Sequence, residues 1–225
     1  MTGVLRLSDP QSLADLGRFA TRARAVDAEG AMRLQASGAV LAAWVGVLAG
    51  VGILAEGTVL GLRTFALAEP AELDVTVPLG AVTDRTARGL GADLPVPPTR
   101  AVASWSAVTP PRGPWEPAGA LPGDLLAAVA RDGLAEVSDA VRERGAAAGL
   151  VRDRVWARDV RDAAGPHPDL LDAGAGLSES SAVVRAGGAF AAYALGFLAP
   201  GLAVQVFRSN RWTRLTAPGG HVLIR

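Results

Sequence analysis

Cysteine is absent from the 225 residues, and so is lysine; all 22 basic residues are arginine. Without cysteine there is no disulfide, no thiolate nucleophile and no zinc–thiolate site. Without lysine there is no phosphate-loop lysine and no Schiff base. Aromatic residues make up only 5% of the chain. Net charge is absent as well: 22 basic residues balance 22 acidic ones, so no global field steers the protein to nucleic acid or an anionic membrane. The first ten residues, MTGVLRLSDP, do not have the form of a secretory leader, and the cytoplasm is the expected compartment.

What is present is apolar. Half the residues are hydrophobic, alanine prominent among them, and mean hydropathy is +0.28, enough to build a sizeable core. The longest apolar run, Gly38 to Ala55, has no hydrogen-bonding side chain except the Trp44 indole and includes Gly46-xxx-Gly50. Its length permits a membrane span. Its alanine and glycine content favours a buried strand and turn instead, with Trp44 in a core, so membrane insertion is not expected.

The organising stretch is Thr58 to Leu79. Val59 to Leu67 reads as one strand and Leu73 to Val77, with its period-two alternation, as a second, folded on each other around Glu69-Pro70-Ala71-Glu72. Before it come a short strand at Val4 to Leu7, a helix opened by Asp9-Pro10 and stopped at Gly30, and strands at Ala31 to Gln35 and Ala39 to Val47. After it, Pro78 to Arg88 reads as a helix ended by Gly89. Eight of the fifteen prolines lie between Pro95 and Pro122, marking an extended segment pinned to the surface by Trp105 and Trp115.

Beyond Asp124 the composition is helical. Arg152 to Asp162 is open between a helix ending at Gly165-Pro166, suited by Val151, Val155 and Trp156/Val160, and an exposed strand at Arg154 to Arg158, with a strand favoured at its start. Pro166 to Ser181 reads as a loop and Ala186 to Leu198 as a buried helix. Three strands close the chain as a meander: Leu202 to Phe207, Trp212 to Thr216 and Val222 to Ile224. The expected class is α+β with mainly antiparallel sheet, in the order β-α-β-β-β-β-α, then helices and a C-terminal β-meander. The meander either extends the first sheet or forms a second. The expected parts are an N-terminal half (1–90), the proline-rich segment (91–123) and a C-terminal half (124–225). The strand-helix-strands-helix order is loosely similar to one repeat of a sliding clamp, in element order alone.

Chemistry is sparsely signalled. Gly50-Val51-Gly52-Ile53-Leu54-Ala55 matches a loose dinucleotide-binding pattern, but a β-rich run follows where that motif needs a helix, so a turn is expected and no cofactor. His167 and His221 share no metal or triad spacing, and no metal is expected. Asp153, Asp159, Asp162, Asp169 and Asp172 interleave with arginines as a solvated, salt-bridged face. Arg18, Arg22, Arg24 and Arg33 lie in or after the first helix and Arg85 and Arg88 in the second; Arg18, Arg22, Arg85 and Arg88 are the candidates to face phosphate. Trp212 between Arg211 and Arg214, with Trp105 and Trp115, forms the candidate aromatic–arginine interaction patch. The leading expectation is a non-enzymatic interaction or scaffold module that binds a protein partner or itself. The alternatives are a small-molecule binder or enzyme with a site assembled around His221 and nearby carboxylates, and a nucleic-acid module using the helix arginines.

Overall fold

The computed structural model describes residues 3–52, 54–89, 91–145, 148–172 and 182–225. Among them are ten strands and seven α-helices in an α+β arrangement whose strand pairs are antiparallel. The chain divides into two compact units: residues 1–49 with 60–109, and residues 50–59 with 110–225.

The first unit begins with β1 (Val4–Arg6) and α1 (Pro10–Val26). The Asp9 carboxylate accepts from the Ser12 backbone N–H at 2.8 Å and from the Ser12 hydroxyl, which satisfies donors that the first helical turn leaves open. Leu13, Leu16, Phe19, Ala20 and Ala23 form the buried stripe. The helix stops at Val26, before Gly30. Strands β2 (Ala31–Ser37), β3 (Val40–Leu48), β4 (Val59–Ala66) and β5 (Leu73–Pro78) are ordered β5-β2-β3-β4.

That order overturns the expected hairpin, because β4 and β5 lie at opposite ends of the row. The donors of the connecting turn go elsewhere. Ala71 N–H donates to the Gly38 carbonyl, Leu67 N–H to the Ala39 carbonyl, and Glu72 accepts from Gly38 N–H at 2.9 Å. The 67–72 connection therefore passes over the β2–β3 turn. It delivers β5 to the free edge of β2, where Ala31 pairs with Pro78 and Ala36 with Leu73. Helix α2 (Leu79–Thr86) follows, and Gly89, at φ +62°, takes the left-handed conformation just beyond its end. Gly17 of α1 sits against Thr86, where an added Cβ would fall 2.8 Å from the hydroxyl, so the two helices are closely packed. Leu41, Ala43 and Val45 of β3 are buried, while Ala42, Trp44 and Gly46 on the other face are half-buried.

Residues 91–123 are shared between the units. Strand β6 (Asp93–Pro95) pairs with β1. A 3₁₀ turn at Ser104–Ala107 lies over the first sheet, with Arg33 donating to the Ser106 carbonyl and Ala101 N–H to the Thr76 carbonyl. Strand β7 (Glu116–Pro122), unforeseen because it contains Pro117 and Pro122 and a register shift at Pro117/Gly119 interrupts it, belongs to the second unit.

In the second unit α3 (Gly123–Arg144) is one continuous 22-residue helix. Residues 152–157, expected to begin as a strand, lie in α4 (Ala148–Ala157). Val151, Val155 and Trp156 are buried at helical spacing while Arg152 and Arg154 point outward, and this packing decides the conformation over local propensity. Trp156 lies against Gly133 of α3 and stacks on Phe190 at 4.7 Å. Short helices α5 (Val160–Ala163) and α6 (Pro168–Asp172) follow; the latter replaces part of the expected 166–181 loop, whose residues 173–181 lie outside the described residues. Helix α7 (Ala186–Ala194) buries a run of Ala and Gly, and Gly188 admits the side chains of Ile224 and Leu215. The meander runs β8 (Ala203–Ser209), β9 (Trp212–Ala217) and β10 (Gly220–Ile224), and the strand order is β10-β9-β8-β7.

Residues 38–52 form β3 and a turn, and among the described residues no helix is long and apolar enough to cross a membrane. The G-x-G-x-x-A run closes on itself through reciprocal hydrogen bonds between Val51 and Glu56, with Gly52 at φ +69°; Ile53 lies outside the described residues.

Candidate interaction site

Alternation along the meander sorts its side chains onto two faces. Leu215 and Ile224 meet α7. The opposite face receives Trp212, Arg214 and Thr216 of β9, and register sets Phe207 and Leu223 across from Arg214, and Gln205 and His221 across from Thr216.

Arg214 is the centre of this face. Its guanidinium carbon lies 4.6 Å from the centroid of Trp115 and 4.5 Å from that of Phe207, so the cation is held against two ring faces. Its Nε is buried and has no hydrogen-bond partner, and among the described residues no carboxylate pairs with it. Burial without a counter-charge pushes its pKa below the ordinary arginine value, although a guanidinium stays protonated throughout the physiological range. His221, hydrogen-bonded through Nδ1 to the Thr216 hydroxyl at 3.1 Å, also has a lowered pKa. Burial is the main cause and the nearby Arg214 charge adds to it.

Arg33, Arg63 and Arg158, also partly buried, are neutralised, whereas Arg85 and Arg225 are half-buried without a carboxylate among the described residues. Arg33 makes a two-point contact with Asp74 at 2.7 and 2.6 Å, Arg63 meets Asp15 at 2.7 Å, and Arg158 grips Glu136 at 2.6 and 2.7 Å. The carboxylates respond: Asp74 and Glu136 are held below their usual range chiefly by these hydrogen bonds. The C-terminal region offers Arg214 no such partner. Residues 180–225 contain Arg185, Arg208, Arg211, Arg214 and Arg225 and neither Asp nor Glu.

The candidate patch is thus partly assembled. Trp115 and Arg214 meet. Trp212 is 6% exposed and sits under Arg225 at 5.8 Å, and Arg211 is exposed in the β8–β9 turn. Trp105 belongs to the first unit and lies against Gly46, where an added Cβ would fall 2.6 Å from its Nε1. Trp44 is half-buried on the sheet face that carries Arg33, with its indole N–H buried and unpaired. Phe207 and Thr216 joined the site unannounced, and His221, expected only as the centre of a separate site with carboxylates, lies here beside Arg214 instead. Phe207 had a signal: a two-residue turn pairing Ser209 with Trp212 sets Phe207 opposite Arg214.

The remaining candidates go elsewhere. His167 binds Asp132 of α3 at 2.7 Å, and among the described residues no carboxylate pairs with His221. Arg18 pairs with Asp15, and Arg85 donates to the Ala81 carbonyl of its own helix. Arg24 donates to Thr83, while Arg22 and Arg88 are exposed and have no partner among the described residues. No group of three or more metal-ligating side chains gathers among the described residues. What the face offers chemically is a planar cation whose in-plane donors match a two-oxygen anion, with neutral hydrogen-bonding groups alongside.

No curated protein matches the chain. Residues 1–107 match the family described as Domain of unknown function (DUF8010), and residues 110–225 that described as Domain of unknown function (DUF8185). The gap between the two matches, residues 108–109, falls at the Thr109/Pro110 division of the compact units, while residues 50–59 of the first match belong to the second unit. The second match covers more than half of the 225 residues, and the chain belongs to the DUF8185 family.

Proposed function

We propose that the protein is a non-enzymatic protein-interaction module whose docking surface is the C-terminal meander. One observation carries this reading: the region from residue 180 onward holds five arginines and no acidic residue, while the whole chain is neutral. Charge of one sign along the β8–β10 meander, which bears Trp and Phe and adjoins Glu116 of β7, is the composition of a recognition surface, in which arginine and aromatics supply most of the binding energy. Arg211 in the β8–β9 turn and Arg208, which faces Glu116 across the β7–β8 register on the face opposite Arg214, are exposed and form no ion pair among the described residues, suited to steering a partner of opposite charge.

The test compares the full chain with an Arg208→Glu/Arg211→Glu variant by light scattering after size exclusion and by affinity purification at two salt concentrations. A self-association or a bound partner that the wild type keeps at low salt and the variant loses is the expected result. Identical masses and identical retained proteins for both would overturn the assignment to the meander.

A further inference from the structure

We propose that the Trp115–Arg214–Phe207 stack is a carboxylate-binding site that takes an aspartate or glutamate side chain from an acidic segment of a partner protein. This rests on the interaction-module reading and names the chemistry its docking surface accepts. Arg33, Arg63 and Arg158 each bring a carboxylate into the fold with them, whereas Arg214, held against two rings, has none among the described residues. The rings fix the guanidinium plane, so its donor edge is oriented before any ligand arrives. Nε is buried, which leaves the two Nη nitrogens to meet a ligand end-on. Two parallel N–H donors of this kind suit the two oxygens of a carboxylate.

A single-charge ligand fits the surroundings better than a phosphate. The nearest titratable group on the face, His221, is partly buried and bonded to Thr216, and burial beside Arg214 keeps it neutral. The stack itself therefore offers one positive charge, flanked by a hydroxyl and a neutral imidazole, with the Arg225 guanidinium over Trp212 on the same face. With no acidic residue after Glu179, the chain itself supplies no competing carboxylate from the meander.

Fluorescence anisotropy of a fluorescein-labelled hexaglutamate peptide titrated with the full-length protein reads the site. Arg214→Gln should weaken binding at least tenfold. Arg214→Lys, which keeps the charge but not the planar fork, should weaken it about threefold or more. Arg22→Gln/Arg88→Gln, which removes two exposed charges on the helices, should change it less than twofold. Phe207→Leu keeps the arginine and loosens its stack, and an intermediate loss is expected there even if one Arg214 variant folds poorly. Equal loss in the Arg214→Gln and Arg22→Gln/Arg88→Gln proteins would reduce the effect to diffuse charge and overturn the site. So would absence of hexaglutamate binding by the wild type, or a twelve-nucleotide single strand displacing the peptide and binding more tightly in an Arg214-dependent way. If the site fails while the Arg208→Glu/Arg211→Glu variant still loses its partner, the interaction reading stands without this ligand.

Discussion

Replacing Arg214 with methionine separates a residue kept for recognition from one kept for stability. The guanidinium makes two ring contacts, at 4.6 and 4.5 Å. At about 0.5–1 kcal/mol each, their loss costs about 1–2 kcal/mol. Against that stands one buried N–H without an acceptor, whose desolvation costs about 1–3 kcal/mol and disappears in the variant. Methionine also keeps an unbranched stem between the rings, and sulfur–aromatic contacts return about 0.3–1.5 kcal/mol. Taking the middle of each range, the variant gains about 1 kcal/mol. Urea unfolding at pH 7, followed by far-UV circular dichroism, should therefore show Arg214→Met at least as stable as wild type, while it no longer binds an acidic peptide. A loss greater than about 1.5 kcal/mol would refute the reasoning, because it would mean that the stack is a structural device whose ring contacts outweigh the unpaired donor.

Gly133→Ala pits helix propensity, worth about 1 kcal/mol in favour of alanine, against a Cβ placed 2.5 Å from Trp156 Cζ3. The ring is buried and stacked on Phe190, so overpacking of about 1–3 kcal/mol should win and the urea midpoint should fall; an unchanged or higher midpoint would show that Trp156 can yield. His221 supplies a pH dependence. Its folded-state pKa lies below the ordinary value of about 6.5, so its stabilising contribution is complete above that pH and is lost as the pH falls toward the folded-state pKa. Thermal unfolding of the wild type should lose more stability between pH 7 and pH 5 than that of His221→Gln, and parallel profiles for the two would contradict it. Asp74→Asn gives up half of a two-point ion pair whose Arg33 side is mostly covered; with Asp74 nearly half exposed, the cost should be about 0.5–1 kcal/mol in the same urea assay, and no cost would indicate complete solvent screening.

Local chemistry was legible where it acts locally. Asp9-Pro10 announced α1 because the cap and the proline need nothing beyond the next turn, and Gly89 marked the end of α2 for the same reason. The meander was readable from its turns. Pairing partners were not. Leu73 to Val77 alternates correctly for a strand, yet nothing in that pattern says that its partner is β2 rather than the neighbouring β4. Arg152 to Ala157 carried strand-like residues that Trp156 packing overrode, and β7 was hidden by the prolines that protect an edge strand. The site divides in the same way. Phe207 and Arg214 are cross-strand neighbours across a two-residue turn and could be paired from spacing, whereas Trp115 lies about a hundred residues upstream and reaches Arg214 only through the fold.

The most direct test of the central claim watches Arg214 itself. In a ¹⁵N spectrum of the full-length protein, the arginine Nε–H resonances are assigned by Arg214→Lys and then followed while unlabelled hexaglutamate is added. Binding in the stack predicts that the Arg214 Nε–H signal shifts saturably and further than any other arginine, with Arg22 and Arg88 unmoved. Saturable shifts centred on the helix arginines, with Arg214 unchanged, would contradict the account and move the docking surface to the first unit.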